Sequence, residues 1–191
     1  MSRLVPGTPV TTRTLTDVTG REVALTGDGL VHLQFRRFAG CPVCNLHLRS
    51  IVVRHEEIRA AGIREVVVFH SPGSELREYA DGLPFPLVGD PARRLYREFG
   101  VERGRRALLN PRAWPVIARA IGRSVVAVAR RRENLPASRQ ENGRLGLPAD
   151  FLIAPDGRIL AAHYGEHAAD QWPVDALLAT SRPFADTAGR A

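Results

Sequence analysis

The chain contains no lysine, and all 27 of its basic side chains are arginine. It has only two cysteines, too few for the disulfide framework on which small secreted domains depend. No apolar run approaches the ~20 residues of a membrane-spanning helix, and MSRLVPGTPVTTRTL has no signal-peptide core. These absences predict a cytoplasmic protein with no membrane partner. No sequence repeat or low-complexity tract interrupts the chain. With 191 residues, 44% of them hydrophobic and 25% charged, it is long enough to fold around a core of its own, and a single domain over 1–191 is expected.

The net charge of +7 is unevenly placed. Between Arg103 and Arg144 eleven arginines face Glu133 and Glu141, a local balance of +9, which leaves −2 for the remainder. Such a segment could contact phosphates, with Trp114 stacking on a base. Its charges spread around helical faces and match no known nucleic-acid module, so no nucleic-acid partner is expected. A lid over a site, or a homodimer surface, is the preferred reading of this insert.

Turn signals and periodicity predict an α/β fold. Residues 9–16 and 21–26 read as a β-hairpin, and Leu30–Arg36 as the next strand. A helix runs from Pro42 to about Ala61 and ends at Gly62. Glu65–Phe69 has the continuous apolar character of a buried strand. A short helix at Ser74–Ala80, a strand at Phe85–Val88 and a helix at Pro91–Phe99 follow. A helical and loop insert occupies about 101–147. A second hairpin, Ala149–Ala154 with Ile159–Tyr164, precedes a final helix capped by Asp170 with Pro173 in its first turn.

Both cysteines lie in FRRFAGCPVCNLHLRS, residues 35–50. A C-x-x-C pair can be redox-active, structural or half of a zinc site. No second C-x-x-C completes four ligands, and His47 reads as a helix-face residue, so no metal or other cofactor is expected. The redox reading follows from placement. A thiol opening a helix meets unpaired N–H groups and the positive end of the dipole, which lower its pKa from about 8.5 toward about 3.5–7.5. Pro42 suits the first helical position, which needs no N–H partner. Cys41 is therefore expected to be the exposed, low-pKa attacking thiol, helped by Arg36 and Arg37, and Cys44 the resolving one.

FRRFAGCPVC, with TLTDVTGREVALTG, FPLVGDPARRLYREFGV and LPADFLIAPDGRIL, resembles the peroxiredoxin-like branch of the alkyl hydroperoxide reductase/thiol-specific antioxidant family. The resemblance implies a thioredoxin-like fold: a central mixed sheet flanked by helices, the N-terminal hairpin and the basic insert added. It implies a thiol-dependent oxidoreductase that cycles Cys41 and Cys44 between dithiol and disulfide. The substrate would be a peroxide, or a small-molecule or protein disulfide, and the reductant an external thiol. Such peroxidases carry Thr or Ser three residues before the reactive cysteine and Arg beside the later strand. Here those positions hold Phe38 and Pro148, which predicts disulfides over peroxides. Pro148 also matches the cis proline of thioredoxin-type reductases, so a cis Leu147–Pro148 bond near the disulfide is expected. His163, His167, Asp170 and Trp172 read mainly as packing groups. The alternative from another class is a non-catalytic scaffold that uses the basic insert to hold an anionic partner.

Overall fold

The computed structural model describes residues 2–102, 104, 106–129 and 143–187. The elements in chain order are β1 (Thr14–Thr16), β2 (Glu22–Ala24), β3 (Leu30–Phe35), α1 (Pro42–Val53), α2 (His55–Ala60), β4 (Ile63–Phe69), α3 (Gly73–Arg77), β5 (Leu87–Gly89) and α4 (Arg94–Glu98). Then come α5 (Arg106–Leu109), a 3-10 turn (Pro111–Ala113), α6 (Trp114–Ala129), β6 (Ala149–Ile153), β7 (Ile159–Tyr164), α7 (Val174–Ser181) and a closing 3-10 segment (Arg182–Thr187).

The main sheet has strand order β5-β4-β3-β6-β7. The β3, β4 and β5 strands are parallel; β6 runs antiparallel to β3, and β7 antiparallel to β6. The β1 and β2 strands form a separate antiparallel hairpin. This is the mixed, helix-flanked sheet of a thioredoxin-like fold.

β3 is buried along its whole length, and its period-two alternation feeds two cores. Leu30 faces the core shared with Leu48, Ile51, Val67, Leu152 and Leu177. Val31, Leu33 and Phe35 face the opposite core, with Val66, Val68, Phe99 and Phe151. Phe35, Phe99 and Phe151 meet there with ring centroids 5.1–5.7 Å apart, separations that favour tilted and edge-to-face aromatic pairs.

Several boundaries differ from the sequence reading. The helix after the cysteines breaks at Arg54, whose φ of −112° and ψ of 19° leave the helical region. Arg54 instead pairs with Glu57 at 2.7 Å and with Asp175, tying α2 to α7. The helix expected from Pro91 starts at Arg94, because Asp90 reaches past the turn to accept from the N–H groups of Arg94 and Leu95. The last helix starts at Val174 after Pro173. Asp170, the expected cap, binds His163 at 2.9 Å and the N–H of Glu166 instead. Most of the loop expected over 132–146 lies outside the described residues.

Candidate active site

β3 ends at Phe35, and the chain must turn sharply before α1. Gly40 makes that turn at φ 72°, a left-handed conformation that side chains with a Cβ adopt reluctantly. Pro42 then occupies the first helical position. Cys41 is the N-cap: its Sγ accepts from the Cys44 N–H at 3.4 Å, so a sulfur takes the place usually held by a Ser or Asp oxygen.

Cys44 lies one turn on and donates its S–H to Cys41 Sγ at 2.7 Å. Both thiols are free, and both are buried, at 0% and 1% exposure, which corrects the expectation of an exposed Cys41. Burial pushes the Cys41 thiol up. The S–H from Cys44, the Arg37 guanidinium and the N–H groups of Cys44 and Val43 outweigh it and bring Cys41 down to about 6. Burial pushes Cys44 up as well, and the bond and charge it shares with Cys41 raise it further. One sulfur is thus a thiolate near neutral pH while its neighbour keeps its proton.

The two arginines before the turn separate. Arg37 Nη1 donates to Cys41 Sγ at 3.7 Å, and the same guanidinium lies over the Phe38 ring and donates to the Arg144 carbonyl. Arg36 does not serve the thiol, contrary to expectation. It continues the His32–Gln34 face of β3 and is fully buried, pairing with Asp150 Oδ1 at 2.6 Å, Gln34 Oε1 at 2.5 Å and His47 Nε2 at 3.1 Å. His32 completes this buried network, 2.8 Å from Glu65 and 3.2 Å from Asp150.

Burial works against the His32 cation, but Glu65 and Asp150 hold its pKa up at about 9. Burial likewise pushes Asp150 up, and Arg36 and His32 hold it well below the usual carboxylate range. His47 is half-buried beside the Arg36 cation; desolvation and that charge lower it to about 3, so its imidazole is neutral.

Other groups pin the backbone between the two arginines. The Tyr96 hydroxyl donates to the carbonyls of Arg36 and Val68, and the His70 N–H donates to the Arg37 carbonyl at 3.2 Å. Gly146 lies against the other side: a methyl group there would come within 3.0 Å of His70 Nε2 and 3.7 Å of Arg37 Cγ. Sequence reasoning missed Tyr96, His70 and Gly146, which reach the turn only through tertiary contact. The Asp150 network had a signal in the polar side chains at every second position of His32-x-Gln34-x-Arg36.

Leu147 and Pro148 are buried where β6 begins, beside the end of β3. Their peptide bond is trans, as is every described bond, so the cis expectation fails. The Leu147 N–H donates to Glu102, and the Pro148 carbonyl accepts from Gly165. A trans proline starting a strand, where its missing N–H costs no ladder bond, explains the position. His163 and Trp172 stack with centroids 6.2 Å apart, and His32 also stacks with Trp172, at 5.9 Å. His167 accepts from the Ala169 N–H within its own loop.

Known proteins resemble this chain in sequence family and in fold. Residues 50–167 match the model of the AhpC/TSA antioxidant enzyme family, a segment that starts just after the cysteine pair. No curated protein matches the chain by sequence. Among solved structures, peroxidoxin BcpB from Mycobacterium tuberculosis superposes with a TM-score of 0.67 at 22% identity, over 95% of this chain and 98% of that one. A cysteine-to-serine mutant of peroxiredoxin 6 from Arenicola marina gives 0.68 at 14% identity, over 97% and 76%. A Chlorobium tepidum protein described as a putative thiol:disulfide interchange protein, DsbE, gives 0.58 at 19% identity, over 95% and 98%. The chain belongs to the AhpC/TSA antioxidant enzyme family, and it is a thiol-dependent oxidoreductase with a thioredoxin-like fold.

Proposed function

We propose that the protein reduces small peroxides, with Cys41 as the attacking thiol and Cys44 as the resolving one. The observation that carries this is the geometry at Cys41: a fully buried sulfur with Cys44 at 2.7 Å and the Arg37 guanidinium at 3.7 Å. Burial admits a two-oxygen molecule far more readily than a protein disulfide. The guanidinium that such chemistry needs comes from Arg37, not from the β6 side where Pro148 stands. This reverses the preference for disulfides drawn from Phe38 and Pro148.

The Cys41 thiolate attacks one peroxide oxygen, the O–O bond breaks, and the departing oxygen takes a proton to leave as water or alcohol. Arg37 stabilises the negative charge that grows on that oxygen. Cys41 is now a sulfenic acid. Cys44 attacks its sulfur, the hydroxyl leaves with the Cys44 proton as water, and the disulfide closes. An external dithiol then returns both sulfurs to the reduced state, which suits a reducing compartment such as the cytoplasm. Pro42 opens the helix that holds Cys41, and the whole chain serves as one domain around this turn.

A second reading, disulfide reduction, is favoured by the C-x-x-C spacing and the likeness to the interchange protein. Stopped-flow oxidation of the reduced protein by hydrogen peroxide, beside its turnover of a small disulfide, separates the two. A fast, saturating peroxide step supports the proposal; disulfide turnover with a sluggish peroxide step overturns it.

A further inference from the structure

Helix α6 presents an outer surface that neither the redox site nor the core uses. Of its sixteen residues only Arg119 and Arg123 are charged. Its inner side is settled: Ala120 is buried, and Ile117 packs against the core that holds α1. Its outer side is not covered by the described residues. Trp114, Ala118, Ile121 and Val125 recur at i, i+4, i+7 and i+11 and so form one stripe. Trp114 is 60% exposed, Ile121 50% and Val125 62%. Pro115, Gly122 and Val126 continue this exposed surface, and Arg119 and Arg123 edge it. The one polar atom of the Trp114 ring already donates to the Leu108 carbonyl at 3.2 Å. Single exposed apolar side chains are ordinary, whereas a contiguous row marks an interaction surface.

The charge on the helix itself selects the occupant. Arg119 and Arg123 are its charged residues, and no acid lies on it. A second copy on this face would set these like charges against their counterparts. A nucleic acid would leave the Ile121 and Val125 side chains without an apolar partner. A surface that is anionic outside and apolar beneath satisfies both halves of the pattern.

We propose that α6 docks in the plane of an anionic phospholipid bilayer. Trp114, Ile121 and Val125 enter the boundary between headgroups and acyl chains, and Arg119 and Arg123 lie against phosphates. No described helix is long and apolar enough to cross a membrane, so the contact is peripheral. The expectation of no membrane partner rested on the lack of a spanning segment, which does not bear on this mode. Because α6 packs on α1, docking holds the Cys41 turn close to the lipid surface.

Flotation of the full chain with vesicles tests this, using equal parts phosphatidylglycerol and phosphatidylcholine against phosphatidylcholine alone. Binding to the anionic vesicles should be about tenfold tighter or more, should fall with salt, and should shift Trp114 emission to the blue. The double variant Ile121→Glu/Val125→Glu should lose binding while keeping its melting temperature and its peroxide oxidation rate. Arg119→Gln/Arg123→Gln should weaken binding at low salt. The proposal is overturned by no binding to anionic vesicles at low salt, or by binding that the Glu variants retain. A solution dimer that those variants dissociate would overturn it in favour of a second copy.

Discussion

Arg37 Nη1 stands 3.7 Å from Cys41 Sγ, while Arg36, one residue earlier, is bound to Asp150 at 2.6 Å. Adjacent residues at a strand end point to opposite faces, so one arginine serves the thiol and the other the interior.

Arg37→Ala should raise the Cys41 pKa from about 6 toward its ordinary value and slow oxidation by peroxide. Arg37→Lys should restore part of the pKa shift but less of the rate, since an ammonium lacks the planar fork. The checks are thiolate absorbance against pH and the second-order rate with hydrogen peroxide. An unchanged pKa in Arg37→Ala would show that Cys44 and the helix end suffice.

Arg36→Met should have the opposite signature. It leaves buried Asp150 with His32 as its remaining cationic partner, a loss of part of the pairing whose full removal typically costs about 3–5 kcal/mol. Denaturant unfolding should show that loss, whereas the thiol pKa of the folded fraction should barely move.

Cys44→Ser should trap the intermediate. Under peroxide the variant should gain one oxygen on Cys41 by intact mass and stay there until a thiol is added. Accumulation of mixed disulfides in cell extract, with slow sulfenylation, would favour the disulfide reading.

His32 makes stability depend on pH above neutrality. Its folded pKa of about 9 lies above the unfolded value of 6.5. The stabilisation is therefore fully present below about 6.5 and is lost as pH rises through about 9. His47 has the opposite sign: held at about 3, it favours the fold above 6.5 and loses that contribution as pH falls. Thermal melts from neutral to pH 10 should show a decline that His32→Gln flattens, whatever the variant's overall stability.

The strand–turn–helix around Cys41 was legible because glycine, proline and the change of hydrophobic period mark it locally. The continuous apolar run of β4, Val66–Phe69, announced a buried strand for the same reason. The polar alternation of His32, Gln34 and Arg36 was visible, but their partner Asp150 was not, because His32 meets it across 118 residues and only strand register brings them together. The same limit applies to Pro148: its place before a strand was readable, but the isomer of its bond was not written in the local sequence. Arg36 and Arg37 could be named as candidates but not told apart, since the last residue in extended register decides which one turns inward.

Cys41 as helix cap has a consequence for the electron balance of the cycle. Whatever stabilises the thiolate stabilises the reduced protein, and the disulfide has no charge to benefit. A pKa of about 6 in place of the ordinary 9.0 favours the reduced state at pH 7. In the proposed cycle, the N–H groups, the Arg37 guanidinium and the Cys44 proton that ready Cys41 for attack would therefore also make a Cys41–Cys44 disulfide the stronger oxidant. The turn that speeds the first half of the cycle draws electrons from the external thiol in the second.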